Sequence, residues 1–506
     1  MPISIFLSVL SGILLTLAYP SFNIEMLAWV AFVPLFFAIK DKSPKEAFLL
    51  SFITGIVFYA VTMYWLVHVS AVGLVLLVLY LALYFGLFGL LLKLRITNYE
   101  LRITDTFIVA ATWVALEYIR ANAFTGFGWV LLGYSQYLNL PVIQIADITG
   151  TYGVSFLIML VNVTVFQVFN NFKEKKLLIR AESPRRGRIT NYGLLITLIA
   201  VFLVVAYGFI KLNAPLSGDK FRVSVIQGNI HQGEKWDSSL KNEIFAKYER
   251  LTLEALLDKP DLIIWPETSF PGFPEEETLF IDKLAFLSKK MRADILIGAP
   301  TFADPGGYKF YNSAILIDKD NGICMQYDKA HLVPFGEYLP FERILGFVRG
   351  FSSRPIGDFE GGDEYTVFES GSRRFGVLIC FEDIFPGLVR NFTRANPDFM
   401  VNITNDAWFM RSSAPYQHAQ ASVLRAVENR VSFVRSANTG LSCFIDPKGR
   451  ITEAVSKDEK EIFVDGFRTA EVPAGPRTSF YRRHGDIFAI GSMFLALALA
   501  VRKIII

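Results

Sequence analysis

Histidine and cysteine are scarce in this chain of 506 residues, which has five of the first and three of the second. His68, His231, His331, His418 and His484 are scattered, and no two stand at metal-ligand spacing with a cysteine, which argues against a zinc site. Neither a metal nor a cofactor is therefore expected. Cys324, Cys380 and Cys443 do not make a disulfide framework, although the count leaves room for one pair. A strong charge of one sign is missing too: the formal net charge of +3 is too small to argue for nucleic acid. Charge of either sign is thin before about Lys211 and ordinary after it, which points to a membrane half followed by a soluble half. What is abundant is apolar, with 52% hydrophobic and 14% aromatic residues and a mean hydropathy of +0.38.

Seven apolar stretches precede the soluble half, at 3–18, 24–39, 48–69, 72–92, 106–119, 154–172 and 194–210, and an eighth follows at 487–501. Several fall short of the roughly 20 residues of a straight span, so short or tilted helices are expected, and the fifth also suits a re-entrant or interfacial segment. The first has no basic region ahead of it and runs into further apolar sequence, so it reads as an uncleaved span. Lys40, Lys42 and Lys45, then Lys93, Arg95 and Arg102, then seven basic residues from Lys173 to Arg188 follow the second, fourth and sixth stretches. The loops after the first and third carry none, and the loop after the fifth has only Arg120. The positive-inside rule then puts the even loops and both termini in the cytoplasm, with Arg502 and Lys503 as a last anchor, and the large insert outside it. The expected division is a seven-helix membrane domain over 1–212, an extracytoplasmic domain over 213–484 and a final span over 485–506. A near-repeat, R-I-T-N-Y, begins at Arg95 and again at Arg188; two copies do not make a solenoid.

From Phe221 the pattern changes to short β-rich runs, at 222–227, 261–265, 294–298, 313–318, 325–327, 375–379, 399–403, 433–436 and 443–445. Helical stretches at 240–257, 276–291 and 414–429 alternate with them, which argues for a layered α/β domain.

Three motifs stand at the ends of these strands. In R-F-G-V-L-I-C-F-E-D-I-F-P, from Arg374 to Pro386, an apolar strand delivers Cys380 to the sheet rim, where α/β folds bind ligands. Read alone, Cys380 fits a buried structural thiol better than a nucleophile. In I-I-W-P-E, Glu267 leaves its strand through a stiffening Pro266, as a general base would, though a solvated loop carboxylate has the same sequence. In Y-D-K-A-H-L-V-P-F-G-E-Y-L-P, from Tyr327 to Pro340, Lys329 is a fixed cation suited to an oxyanion or to a neighbouring thiol, and Glu337 suits pairing with it.

A Glu, a Lys and a Cys in that order, each ending a strand, resemble the nitrilase superfamily. The resemblance implies an α-β-β-α sandwich with a Glu base, a Lys and a Cys nucleophile. Attached to a membrane half, it narrows to the bacterial apolipoprotein N-acyltransferase family. The matching text runs through G-N-I-x-Q from Gly228, W-P-E at Glu267, the Lys329 motif and C-F-E at Cys380, then N-D-A-W-F from Asn405 and R-A-V-E-N-R from Arg425. In the membrane half E-Y-I-R at Glu117 and F-T-G-F-G-W up to Trp129 also fit.

The resemblance implies Glu267 as base, Lys329 as oxyanion stabiliser and Cys380 as acyl-accepting nucleophile. Glu337, Glu382 and Phe381 would support them, and Trp236, Trp408 and Tyr338 would bind substrate, with Trp236 at the lipid entrance. Family members commonly have Tyr after the nucleophile; Phe381 lacks that hydroxyl but keeps its backbone N–H as an oxyanion donor. The implied partners are the bacterial inner membrane, a phospholipid acyl donor and a diacylglyceryl apolipoprotein acceptor, with the catalytic domain on the periplasmic side. An apolar segment at 341–351, with Leu345, Phe347 and Val348, suits a lid at the interface. Rival readings are a Cys380 activated by His331 or His418, a membrane-tethered amidase, and a non-catalytic lipid-binding or transport protein. For the last, the intramembrane Glu117 and Arg120 are better read as a structural pair.

Overall fold

Backbone in hydrocarbon has to satisfy its own hydrogen bonds, so the apolar runs of the first half fold as helices. The computed structural model describes residues 1–95, 103–178, 187–216, 221–303, 306, 309–340, 342–346, 357–476 and 478–505. Most of the expected lid at 341–351, and the first copy of the near-repeat after Arg95, lie outside them. The chain divides into two compact units, Met1–Ala214 with His484–Ile506, and Pro215–Arg483.

Among the described residues of the first unit four helices are long and apolar enough to cross a membrane: Pro44–Thr62, Ala71–Leu94, Thr151–Asn171 and Tyr192–Asn213. The fifth expected stretch lies within a 20-residue helix, Ile103–Asn122. The second does not form one rod. It breaks into a 3-10 turn, Glu25–Trp29, and a seven-residue helix, Val33–Ile39. Pro34 in that helix's first turn has no N–H to continue a preceding one, and seven residues rise only about 10 Å. The loop before Glu117 and Arg120's partners is held by both side chains: Glu117 accepts from the Leu132 N–H at 2.6 Å, and Arg120 donates to the Trp129 carbonyl at 2.9 Å. Both bonds are structural, but they go to loop backbone, where the expectation was a pair between the two side chains.

Among the described residues of the second unit twelve strands form two six-stranded sheets. The first runs β12-β1-β2-β3-β4-β5 and the second β11-β10-β9-β8-β7-β6. The strands are β1 (Arg222–Gln227), β2 (Leu262–Ile264), β3 (Asp294–Phe302), β4 (Phe310–Asp318), β5 (Gly322–Asp328), β6 (Val367–Ser370), β7 (Arg373–Ile379), β8 (Phe399–Thr404), β9 (Ser432–Ala437), β10 (Cys443–Ile445), β11 (Ile451–Ala454) and β12 (Gly466–Glu471). Each sheet has a parallel trio, β1-β2-β3 or β7-β8-β9, with antiparallel flanks. Trios buried on both faces read as unbroken apolar runs, which is why they are visible in sequence.

Helices Lys241–Ala255 and Thr278–Met291 cover the first sheet, and Ile226, Ile263, Trp265, Ile295 and Ile297 pack under them with Phe245, Tyr248, Leu251 and Leu284. Helices Pro386–Arg394 and Ala414–Asn429 belong to the second sheet's side. The two sheets meet in the middle, where the Ser436 hydroxyl of β9 reaches the carbonyls of Ile226 and Ile264, each at 3.1 Å. The layers are therefore α-β-β-α, with the carboxyl ends of the parallel strands gathered along one rim.

Candidate active site

β2 ends at Ile264, and Trp265 anchors its exit. The indole is fully buried, stacks on Tyr248 with ring centroids 4.8 Å apart, and donates to the Thr252 hydroxyl at 2.9 Å. Two residues on, Glu267 is 6% exposed. Its Oε1 accepts from Asn312 Nδ2 at 2.8 Å and its Oε2 from the Asn405 N–H at 2.8 Å. Thr268 follows with φ +44°, a left-handed strain of about 1–3 kcal/mol. Lys235 holds that turn, its Nζ donating to the Glu267 carbonyl at 2.9 Å and to the Thr268 hydroxyl at 2.5 Å.

Lys329 follows the last residue of β5 and is fully buried. Its Nζ donates to Glu337 Oε1 at 2.8 Å and stands 3.6 Å from Glu267 Oε1. Asn312 Nδ2 also donates to Glu337 Oε1, at 3.1 Å. Glu267, Lys329, Glu337 and Asn312 thus close a four-membered ring, with each donor bridging both carboxylates. The Phe381 ring lies over the ammonium, 5.3 Å from centroid to Nζ, an added cation–π contact. Flanking carboxylates outweigh burial and push the Lys329 ammonium upward, so it stays charged.

Cys380 follows β7 at φ +57°, again left-handed. Its carbonyl accepts from Asn402 Nδ2 at 2.8 Å and faces His418 Nε2 at 3.2 Å. Burial, with the charge of Glu267, pushes the thiol well up, against the pull of Lys329 and a hydrogen bond with the Thr404 side chain. At rest the sulfur therefore keeps its proton, and a base has to take it at the moment of attack.

Glu382 joins these parts. Its Oε1 accepts from the N–H of Ala330 at 2.9 Å and of His331 at 3.0 Å, and its Oε2 from the Ile379 N–H at 2.7 Å. The Tyr327 hydroxyl donates to the same carboxylate at 2.9 Å. One side chain so ties the residue after Lys329 to the residue before Cys380. Burial pushes its pKa to about 7 despite the backbone N–H groups that favour the charged form.

Residues 11–164 match the model of the apolipoprotein N-acyltransferase N-terminal domain, and residues 222–472 match that of carbon-nitrogen hydrolases. An apolipoprotein N-acyltransferase of Geobacter metallireducens is 42% identical over 98% of this chain and 95% of its own. The chain belongs to the apolipoprotein N-acyltransferase family. A relative of the same name from Chlorobaculum tepidum is 30% identical over 98% of this chain and 97% of its own. The structure of Saccharomyces cerevisiae Nit3, of the nitrilase superfamily, aligns at 19% identity over 51% of this chain and 92% of that one, with a TM-score of 0.39.

In this member of the apolipoprotein N-acyltransferase family, Glu267, Lys329, Cys380 and Glu337 come together, with Phe381 and Glu382 against them. Trp236 is 53% exposed, one residue beyond the lysine that grips the Glu267 turn, and Trp408 is 37% exposed in the turn after β8. Tyr338 is half-buried beside Glu337. The histidine rivals face elsewhere. His418 turns its nitrogens to Asp406, Asp383 and the Cys380 carbonyl, and His331 packs on the Phe385 ring at 3.9 Å. Sequence reasoning gave no role to Asn312, Lys235, Asn402 or Asn405, and weighed His418 only as a rival activator of Cys380. Asn405 was within reach, two residues past the run at 399–403 and the first residue of N-D-A-W-F; Asn312 precedes its expected strand by one residue and carries no such signal.

Proposed function

We propose that the protein transfers an acyl chain from a phospholipid, through a thioester on Cys380, to the α-amino group of a diacylglyceryl-cysteine at a lipoprotein N-terminus. Glu267 takes the thiol proton as the sulfur attacks the ester carbonyl. Lys329 and the Phe381 N–H stabilise the oxygen that turns negative. The intermediate collapses with Glu267 returning the proton to the departing lysophospholipid oxygen, which leaves the thioester. The acceptor amine then attacks the thioester, Glu267 takes its proton, and the amide forms as the thiol is restored. Glu337 and Asn312 keep Lys329 and Glu267 in place, and Glu382 keeps the lysine and cysteine segments in register. Trp236, Trp408 and Tyr338 contact the lipid chains. The catalytic unit lies on the periplasmic side of the inner membrane with both termini in the cytoplasm, as the placement of Lys and Arg favours.

The observation that carries this reading is the carboxylate and ammonium 3.6 Å apart beside a thiol held protonated, in a chain of this family. The test is to trap the acyl-enzyme with labelled phospholipid and map it. Label on Cys380, absent from Cys380→Ala and with the variant still in the membrane, is the expected result. Label retained by Cys380→Ala would refute it. Mass spectrometry of a lipoprotein N-terminus with and without the protein separates acyl transfer from amidase or transport activity.

A further inference from the structure

Beneath Cys380 lies a group of buried charges that the steps above leave unused. His418, on the helix Ala414–Asn429, is 1% exposed, and Asp383, Asp406 and Arg435 are each fully buried. His418 Nδ1 stands 3.0 Å from Asp406 Oδ1. Its Nε2 stands 3.0 Å from Asp383 Oδ1 and 3.2 Å from the Cys380 carbonyl oxygen. Each ring nitrogen thus faces acceptors, and a carbonyl oxygen only accepts, so both nitrogens carry hydrogen and the ring is an imidazolium. Burial opposes that charge, but Asp383 and Asp406 outweigh it and raise the His418 pKa to about 9, with Arg435 pulling the other way. The clamp is itself secured: Asp383 Oδ2 accepts from Arg435 Nη1 at 2.7 Å and from the Ser422 hydroxyl. Asp406 packs against Gly440, where a Cβ would meet Asp406 Oδ2 at 2.0 Å.

The consequence runs through one peptide plane. The Cys380 carbonyl and the Phe381 N–H belong to the same planar trans unit and point in opposite directions. Fixing the carbonyl between Asn402 and His418 therefore fixes the direction of the N–H, and holds Cys380 in its left-handed conformation. A charged donor on the carbonyl also polarises the unit and strengthens the N–H as a donor.

We propose that His418 is a positioning residue for acyl transfer: clamped as an imidazolium between Asp406 and Asp383, it gives its Nε2–H to the Cys380 carbonyl and aims the Phe381 N–H at the developing oxyanion. The proposal rests on the reading of Cys380 as the nucleophile, and it assigns His418 no contact with substrate.

The test uses the full chain in detergent and an equimolar mixture of phosphatidylethanolamine and phosphatidylglycerol, each with one fluorescent acyl chain. The rate of labelling of Cys380 is followed against lipid concentration and pH. His418→Leu, which lacks a donor, is expected to slow labelling at saturating lipid by roughly 10- to 100-fold, the loss of one charge-assisted hydrogen bond, with the half-saturating lipid concentration unchanged. His418→Gln, which keeps an uncharged donor, is expected to recover part of the rate. Relative to His418→Gln, the wild type should lose rate as pH rises through about 9, where His418 gives up its proton. A folded His418→Leu labelling at the wild-type rate overturns the proposal, as does a loss confined to half-saturation. If His418→Leu does not fold, the glutamine variant decides: the same alkaline fall as the wild type overturns the proposal. Label on Cys380→Ala instead overturns the underlying reading of the nucleophile.

Discussion

At the scale of single residues, the ring of Glu267, Lys329, Glu337 and Asn312 sets what each substitution does. Lys329 is the only cation in that ring, so Lys329→Met leaves the buried Glu267 carboxylate facing the half-buried one of Glu337. Unpaired buried charge of this kind costs about 3–5 kcal/mol, so a lowered melting temperature should accompany loss of thioester formation. Asn312→Leu removes only a neutral bridge; labelling of Cys380 should fall about tenfold, with a smaller drop in melting temperature than for Lys329→Met. Glu382 gives a pH signature. Its folded pKa of about 7 lies above the ordinary 4.5, so the native state holds a proton that the unfolded chain has released. Its contribution is fully present below that ordinary value and declines as pH rises toward 7. The melting temperature of the wild type minus that of Glu382→Gln should therefore fall across this window, and a flat difference would count against the assignment. Glu267, Lys329 and Cys380 were legible because each stands in a motif just past the end of a strand. Asn312 was not, and His418 was read only as a rival base, because nothing local marks an amide or an imidazole whose partners come from distant segments.

At the scale of elements, the strands that went unread share one property. β6, β11 and β12 are each at the edge of a sheet, and β5, at the fourth edge, was expected only over 325–327 instead of Gly322–Asp328. An edge strand keeps one side in solvent, so β11 and β12 carry no fully buried residue and show no apolar run. The central strands, buried at nearly every position, were readable within a few residues. The helix Pro386–Arg394 was likewise unread, being only nine residues long. Packing between elements also constrains the site. At Gly298 of β3 an added Cβ would lie 2.5 Å from the Pro266 carbonyl and 2.7 Å from Glu267 Cα, backbone atoms that have no flexible tip to yield. Gly298→Ala should cost about 1–3 kcal/mol in stability, and it should slow thioester formation further by displacing the base. Unchanged labelling alongside a lowered melting temperature would show that the Glu267 turn tolerates the shift.

At the scale of the whole molecule, the orientation drawn from basic residues has a direct check. Cys324 is exposed and Cys443 buried, so in a Cys380→Ala background Cys324 offers the accessible thiol. A membrane-impermeant maleimide should label it in intact cells whose outer membrane has been made permeable; labelling only after lysis would place the catalytic unit on the cytoplasmic side. The change of character near Lys211 is legible in the sequence, because a shift in charge density needs no knowledge of contacts. The closure of the second unit was not, since β12 has little apolar character of its own. Yet that strand runs antiparallel to β1 and sets Glu471 opposite Arg222. The sandwich thus begins and ends at the two sides of one rung, about 5 Å apart. Neighbouring ends are what let a fold be spliced into a host loop without stretching it, and this geometry makes the nitrilase-like unit a portable cassette.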